Sequence, residues 1–181
     1  MRKSQTWLII AIALLLMLAV GTTIAYLVAS SNIVQNTFTV GAVNISLTET
    51  TGKTYALLPG ATLEKDPVVT VHSGSENCWL FVKVEEDHDL DAYCTYSIEA
   101  AWTPLEGYDG VFYQTVEKSI EDQTFPVLKD NSVQIRDTLH EEQLNAIEDY
   151  PTIKFTAYAI QGEGVATVED AWLALEQGRE E

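Results

Sequence analysis

The chain reads as an all-β protein: an antiparallel two-sheet sandwich, jelly-roll-like, with two short helices, preceded by an N-terminal signal or transmembrane helix. Three observations predict this. Short runs alternate apolar and polar residues with period two, turn residues recur between them, and beyond the N-terminus only two segments carry a helical period. Residues 1–25 read as a signal peptide, 26–38 as an N-terminal segment, and 39–181 as one β-sandwich domain.

The N-terminal assignment rests on three parts. Arg2 and Lys3 form a basic start, Trp7 to Val20 is an unbroken apolar run, and Gly21-Thr22-Thr23-Ile24-Ala25 supplies small residues at a scissile bond. Trp7 to Ala29 carries no charge and is also long enough to span a bilayer, so an uncleaved anchor is the alternative. Either way the basic end stays inside and the bulk of the chain is exported. Losing residues 1–25 removes Arg2 and Lys3 and takes the formal charge from −17 to −19. That balance repels nucleic acid and anionic lipid, which leaves a membrane role only to the uncleaved N-terminal helix.

The strands follow in order. In Ala42 to Thr48, Val43, Ile45 and Leu47 share one face. Pro59-Gly60 marks a turn. Pro67 to His72, Trp79 to Glu85, Tyr96 to Trp102, and Val111 to Val116 after a Gly107–Gly110 turn are further strands. Thr124 to Leu128 and Ser132 to Ile135 flank a polar break at Lys129-Asp130-Asn131, and Thr152 to Gln161 is the last and longest. Thr138-Leu139-His140-Glu141 has the form of a capping box opening one helix, with Leu139, Leu144 and Ile147 as its apolar stripe. The second helix opens at Thr167-Val168-Glu169-Asp170, buries Val168, Ala171, Trp172 and Leu175, and ends at Gly178.

The chemistry-bearing residues are few. Cys78 and Cys94 each open a strand, and if those strands form a hairpin the two lie at opposite ends, some 20 Å apart, beyond disulfide reach. An oxidising exterior would otherwise permit the bond. Asp87, Asp89 and Asp91 have the opening D-x-D-x-D spacing of a calcium loop, but Ala92 stands where the loop needs glycine and Ile98 where it needs glutamate. They read as a charged loop tip, with weak calcium binding as the sharper alternative. His140-Glu141-Glu142-Gln143-Leu144 begins like H-E-x-x-H but lacks the second histidine, and His72 and His88 lie in other segments. No G-x-S-x-G occurs. Neither a metal site nor a nucleophile site is predicted. Trp79, Phe81, Trp102, Phe112, Tyr113 and Phe155 read as core, or as a carbohydrate-binding face.

Gly21-Thr22-Thr23-Ile24-Ala25-Tyr26, Asn36-Thr37-Phe38-Thr39-Val40-Gly41 and Val43-Asn44-Ile45-Ser46-Leu47-Thr48-Glu49 resemble the opening of the TasA/camelysin family. Leu58-Pro59-Gly60 with Lys65-Asp66-Pro67-Val68-Val69 resembles its P-G…K-D-P strand, and Phe155 to Gln161 with Glu163-Gly164 and Ala171-Trp172 its C-terminal signature. The resemblance implies cleavage between Ala25 and Tyr26 by a SipW-type signal peptidase. It also implies secretion to the cell surface of a Gram-positive bacterium, and self-association into biofilm-matrix fibres in which the mature N-terminal segment completes the next subunit's sandwich. Camelysin's description as a metallopeptidase leaves an enzyme reading open, and a monomeric surface binding module is a third. Tyr26 to Phe38 is uncharged, as a donor strand would need to be, but it could equally pack on its own chain or remain a stub.

Overall fold

A computed structural model describes residues 28–30, 37–40, 42–52, 54–87 and 89–178. The signal segment 1–25, with Ala25 and Tyr26, and His88 lie outside the described residues. In chain order the strands are β1 (Val28–Ser30), β2 (Thr37–Val40), β3 (Ile45–Thr48), β4 (Thr54–Ala56), β5 (Thr62–Glu64), β6 (Val68–Val71) and β7 (Cys78–Asp87). After helix α1 (Leu90–Tyr93) come β8 (Cys94–Ile98), β9 (Thr103–Pro104), β10 (Val111–Val116), β11 (Gln123–Pro126) and β12 (Leu128–Ile135). Helix α2 (Glu141–Asn145), β13 (Thr152–Gln161) and α3 (Val168–Gln177) complete the described chain.

The protein is mostly β. A five-stranded sheet runs β2-β13-β7-β10-β9, with three-stranded sheets β11-β6-β3 and β5-β12-β8 and a separate β1-β4 pair. Among the described residues every pairing is antiparallel except β2 with β13. The spine is β7 against β13, in register from Thr152↔Asp87 to Gln161↔Cys78. Alternation gives this sheet two buried faces. Leu80, Val82, Val84, Phe155, Ala157 and Ala159 join Ile45, Leu47, Val69, Val71, Leu128 and Ile135 from both three-stranded sheets in the larger core. Phe81, Tyr158 and Ile160 point the other way, under α3.

Helix α3 forms as its residues predict. The Thr167 hydroxyl accepts from the Asp170 amide at 3.1 Å, Glu169 and Asp170 meet the positive end of the dipole, and Gly178 caps the far end. Its stripe of Ala171, Trp172 and Leu175 is buried on the sheet, with the Trp172 ring 5.3 Å from both Phe81 and Tyr158. Burial of an indole this completely is worth several kcal/mol, so the helix is held by packing rather than by its own propensity.

The Lys65-Asp66-Pro67 segment acts as a clamp. Lys65 Nζ donates to Glu49 Oε1 at 3.0 Å, with both side chains nearly inaccessible, and sits 5.6 Å from the Phe155 ring centroid. Asp66 accepts from the amides of Thr50 and Thr51, each at 2.9 Å, and from both hydroxyls. Burial alone would raise the Asp66 carboxyl, but these hydrogen bonds outweigh it and hold it far below the usual carboxylate range. The turn after β3 is thereby fastened to the start of β6.

Several sequence expectations are corrected. Among the described residues there are three short helices, not two. The supposed loop tip at Asp87, Asp89 and Asp91 is a strand end, a left-handed residue (Asp89, φ 52°) and the first turn of α1, because Leu90 is pulled into the core. Strands β7 and β8 are no hairpin: α1 carries the chain from the five-stranded sheet to β12. The polar break at Lys129-Asp130-Asn131 is an irregularity inside one strand, β12, where Asp130 and Asn131 take positive φ and the register with β8 shifts. The cap of α2 is His140 rather than Thr138, with Gln143 Oε1 accepting from the His140 amide at 3.1 Å.

Candidate functional site

The two edges of the five-stranded sheet differ. One is β9, two residues long and ending in Pro104, which has no N–H to offer a further strand. The other is β2, laid parallel on β13 with Thr37↔Ala157, Phe38↔Tyr158, Thr39↔Ala159 and Val40↔Ile160. Parallel pairing needs a long crossover, and here almost the whole domain lies between the partners. The pairing covers only Ala157–Ile160, whereas β7 pairs with β13 along its full length. Removing β2 would therefore expose the upper edge of β13 while leaving the β7 ladder intact.

The chain just after β2 is anchored separately. The Ala42 amide donates to Gln161 Oε1 at 3.2 Å, the Glu76 amide donates to the Ala42 carbonyl at 3.1 Å, and the Asn44 amide donates to Ser75 Oγ at 3.0 Å. Beside this anchor an open cleft of about 500 Å³ is lined by Glu76, Asn77, Trp79, Glu117, Gln161 and Glu163. Further along the same sheet, Lys154 on β13 meets Glu85 on β7 at 2.8 Å, and Lys83 meets it at 3.2 Å. The Lys154 hydrogen bond is the main reason the Glu85 carboxyl lies below its ordinary range.

The sequence-predicted residues are scattered over other parts of the fold. Asp87, Asp89 and Asp91 are exposed, and among the described residues no three His, Cys, Asp or Glu side chains are grouped so as to hold a metal ion. His140 heads α2, with Leu144 one turn on. Cys78 and Cys94 are free and buried, and burial pushes each thiol up to about 11, which leaves little thiolate at neutral pH. Cys78 faces Val116 and Gln161 across its strands, and Cys94 faces Ile135 in another sheet. Of the aromatic set, Phe81, Trp102 and Phe155 are core, while Trp79, Phe112 and Tyr113 pack at its margins.

One grouping has no local signature. Ser46 Oγ lies 3.0 Å from His72 Nε2, and His72 Nδ1 lies 3.1 Å from Asp122 Oδ2. The residues are separated by 26 and 50 positions, so no motif spacing announces them. The available signal was an outward-facing serine between Ile45 and Leu47, which any solvent face of a sheet supplies. Among the described residues no helix is long and apolar enough to cross a membrane. Compared with known protein families, curated proteins and solved structures, the chain finds no match.

Proposed function

We propose that the chain is an exported structural protein of the TasA/camelysin type, released by cleavage between Ala25 and Tyr26 and assembling at the cell surface by exchange of its N-terminal strand. In this reading the five-stranded sheet opposes the two three-stranded sheets as a jelly-roll-like sandwich. The observation that carries the proposal is β2, a four-residue parallel edge strand that follows only the short β1 at the N-terminal end of the described residues. The same ladder made with a neighbour's β2 is β-strand addition, where backbone hydrogen bonds give affinity and alternate side chains set register. Such a contact is head-to-tail and need not close, so it builds filaments. The uncharged run Tyr26 to Phe38 suits it, because subunits of formal charge −19 repel elsewhere.

The test compares protein beginning at Tyr26 with protein beginning at Gly41, by electron microscopy and sedimentation. The longer form should build filaments and the shorter should stay monomeric while capping filaments of the longer. Polymerisation of the shorter form, or persistent monomers of the longer across pH and calcium, would defeat the mechanism. Sequencing the secreted protein from its N-terminus checks processing: Tyr26 should come first, and retained Met1 would restore the anchor reading.

A further inference from the structure

The outer face of the β11-β6-β3 sheet carries the Ser46–His72–Asp122 row. The strands place it. Ser46 alternates with buried Ile45 and Leu47 on β3, so its hydroxyl points away from the core. His72 follows β6, and its amide donates to the Asn44 carbonyl at 2.9 Å, continuing the β3–β6 ladder. Asp122 precedes β11 and is oriented by a second bond, in which its Oδ1 accepts from the Ser73 amide at 2.8 Å. The Gly74 amide, donating to the Ser119 carbonyl at 3.2 Å, ties the same turn to the loop that presents Asp122.

The chemistry of the row follows from its partners. An ionised carboxylate only accepts hydrogen bonds, so Asp122 requires the proton on His72 Nδ1. The Asp122 carboxyl lies below its ordinary range, chiefly because the Ser73 amide and then the His72 ring donate to it, which keeps it ionised. In neutral His72 that leaves Nε2 with a lone pair, and Ser46 must be the donor to it. A serine hydrogen-bonded to an imidazole that is oriented in turn by a carboxylate is the geometry of an activated nucleophile, which is recognised by roles rather than by sequence position. The His72 and Asp122 side chains are 34 % and 52 % exposed, so a reagent can reach the row.

We propose that Ser46 is a nucleophile toward carboxylic esters, with His72 as its general base and Asp122 as a positioning residue. Ser46 Oγ adds to the ester carbonyl carbon as its proton passes to His72 Nε2. The tetrahedral adduct expels the alkoxide, which takes that proton from Nε2 and departs as the alcohol, leaving the acyl group on Oγ. Water then attacks with His72 again as base, releasing the carboxylic acid and restoring the hydroxyl. The row sits on a sheet's outer face with His72 and Asp122 partly exposed, so the substrate is the exposed ester end of a small or polymer-borne acyl group. This activity stands apart from strand exchange and needs neither β2 nor the β13 edge.

The experiment treats folded protein with a fluorophosphonate probe and maps adducts by mass spectrometry, alongside p-nitrophenyl acetate hydrolysis. One adduct is expected, on Ser46, with none in Ser46→Ala. His72→Gln should slow labelling about a hundredfold, the usual worth of a general base. Asp122→Asn should lower the limiting labelling rate by at least about tenfold while leaving the half-saturating probe concentration and the melting temperature unchanged. Because Asp122 is on the surface, that variant decides the matter if His72→Gln unfolds. No adduct, an adduct on another serine, or equal labelling of Ser46 in the folded variants would overturn the proposal and leave the row a cross-strand hydrogen-bond ladder.

Discussion

Lys65 and Glu49 offer the sharpest test of how the fold is held. Both side chains are almost inaccessible, and the ammonium lies within hydrogen-bond distance of both carboxylate oxygens, at 3.0 and 3.3 Å. Burial pulls the Lys65 pKa down and Glu49 pulls it back, so the charge depends on its partner. Lys65→Met keeps the aliphatic stem against Phe155 but takes the ammonium away from a buried carboxylate; Glu49→Gln keeps the shape but takes the carboxylate away from a buried ammonium. Each single change should cost about 3–5 kcal/mol. The double variant places an amide beside a thioether with no net charge to desolvate, and should cost only about 1 kcal/mol. The cycle then yields a coupling of at least about 5 kcal/mol, far above the 1 kcal/mol ceiling typical of a surface pair. Urea denaturation of all four proteins at pH 7 measures it. Single variants costing under about 1 kcal/mol, or a double variant equal to the sum of the singles, would refute the claim that a desolvated, mutually dependent pair sits here.

Two further substitutions test the reading of turns and clamps. At Gly110, φ is 72° and an added Cβ would meet the Val84 carbonyl oxygen at 2.3 Å, whereas at Gly107, with φ 83°, nothing lies within 4 Å. Gly110→Ala should therefore cost at least about 2 kcal/mol and clearly more than Gly107→Ala, by thermal melting; equal costs would mean the close approach is unimportant. For Asp66 the folded-state pKa lies below the unfolded one, so its stabilisation is fully present above about pH 4 and is lost as pH falls further. Asp66→Asn should be destabilised at pH 7, with the difference from the parent shrinking below about pH 4 in urea titrations; a pH-independent difference would contradict the clamp.

The parts of the fold that sequence made legible are those whose period is local. Strands β3, β6, β7, β10 and β13 announce themselves by alternation and β-branched residues, and α3 by its Thr167 cap and its Ala171-Trp172-Leu175 stripe. Strands β4, β5 and β9 are two or three residues long and exist only because a partner is there to pair with them. The hairpin considered between the Cys78 and Cys94 strands does not form, for a related reason. Chain neighbours with strand periods usually pair, but buried Leu90 and the left-handed Asp89 turn this chain into another sheet. Lys65-Asp66-Pro67 stood out as a motif, yet its role depends on Glu49, Thr50 and Thr51 fifteen or sixteen positions earlier. Ser46, His72 and Asp122 were invisible for the same physical cause: hydrogen bonds across three strands leave no trace in spacing.

That distinction between local and distant pairing also bears on when β2 docks. Its partner Ala157–Ile160 lies near the other end of the domain, so the contact closes the longest loop in the fold and returns only a four-residue ladder. Contacts of that kind form late, after the β7–β13 spine exists to receive them. During that interval the β13 edge is complete but uncovered, and under the proposed strand exchange the chain's own β2 would compete with a neighbour's. A tethered strand has an effective concentration of about 1 mM, so refolding at micromolar protein should return self-docked monomers, whereas refolding near millimolar protein should trap exchanged oligomers. Once β2 is docked, exchange requires undocking it, so concentrating an already folded monomer should produce oligomers far more slowly than concentrating it before refolding. Size-exclusion chromatography after the two protocols separates the cases. An oligomer fraction set only by final concentration, reached equally fast from either direction, would mean that β2 docks and undocks freely and that no kinetic competition for the edge exists.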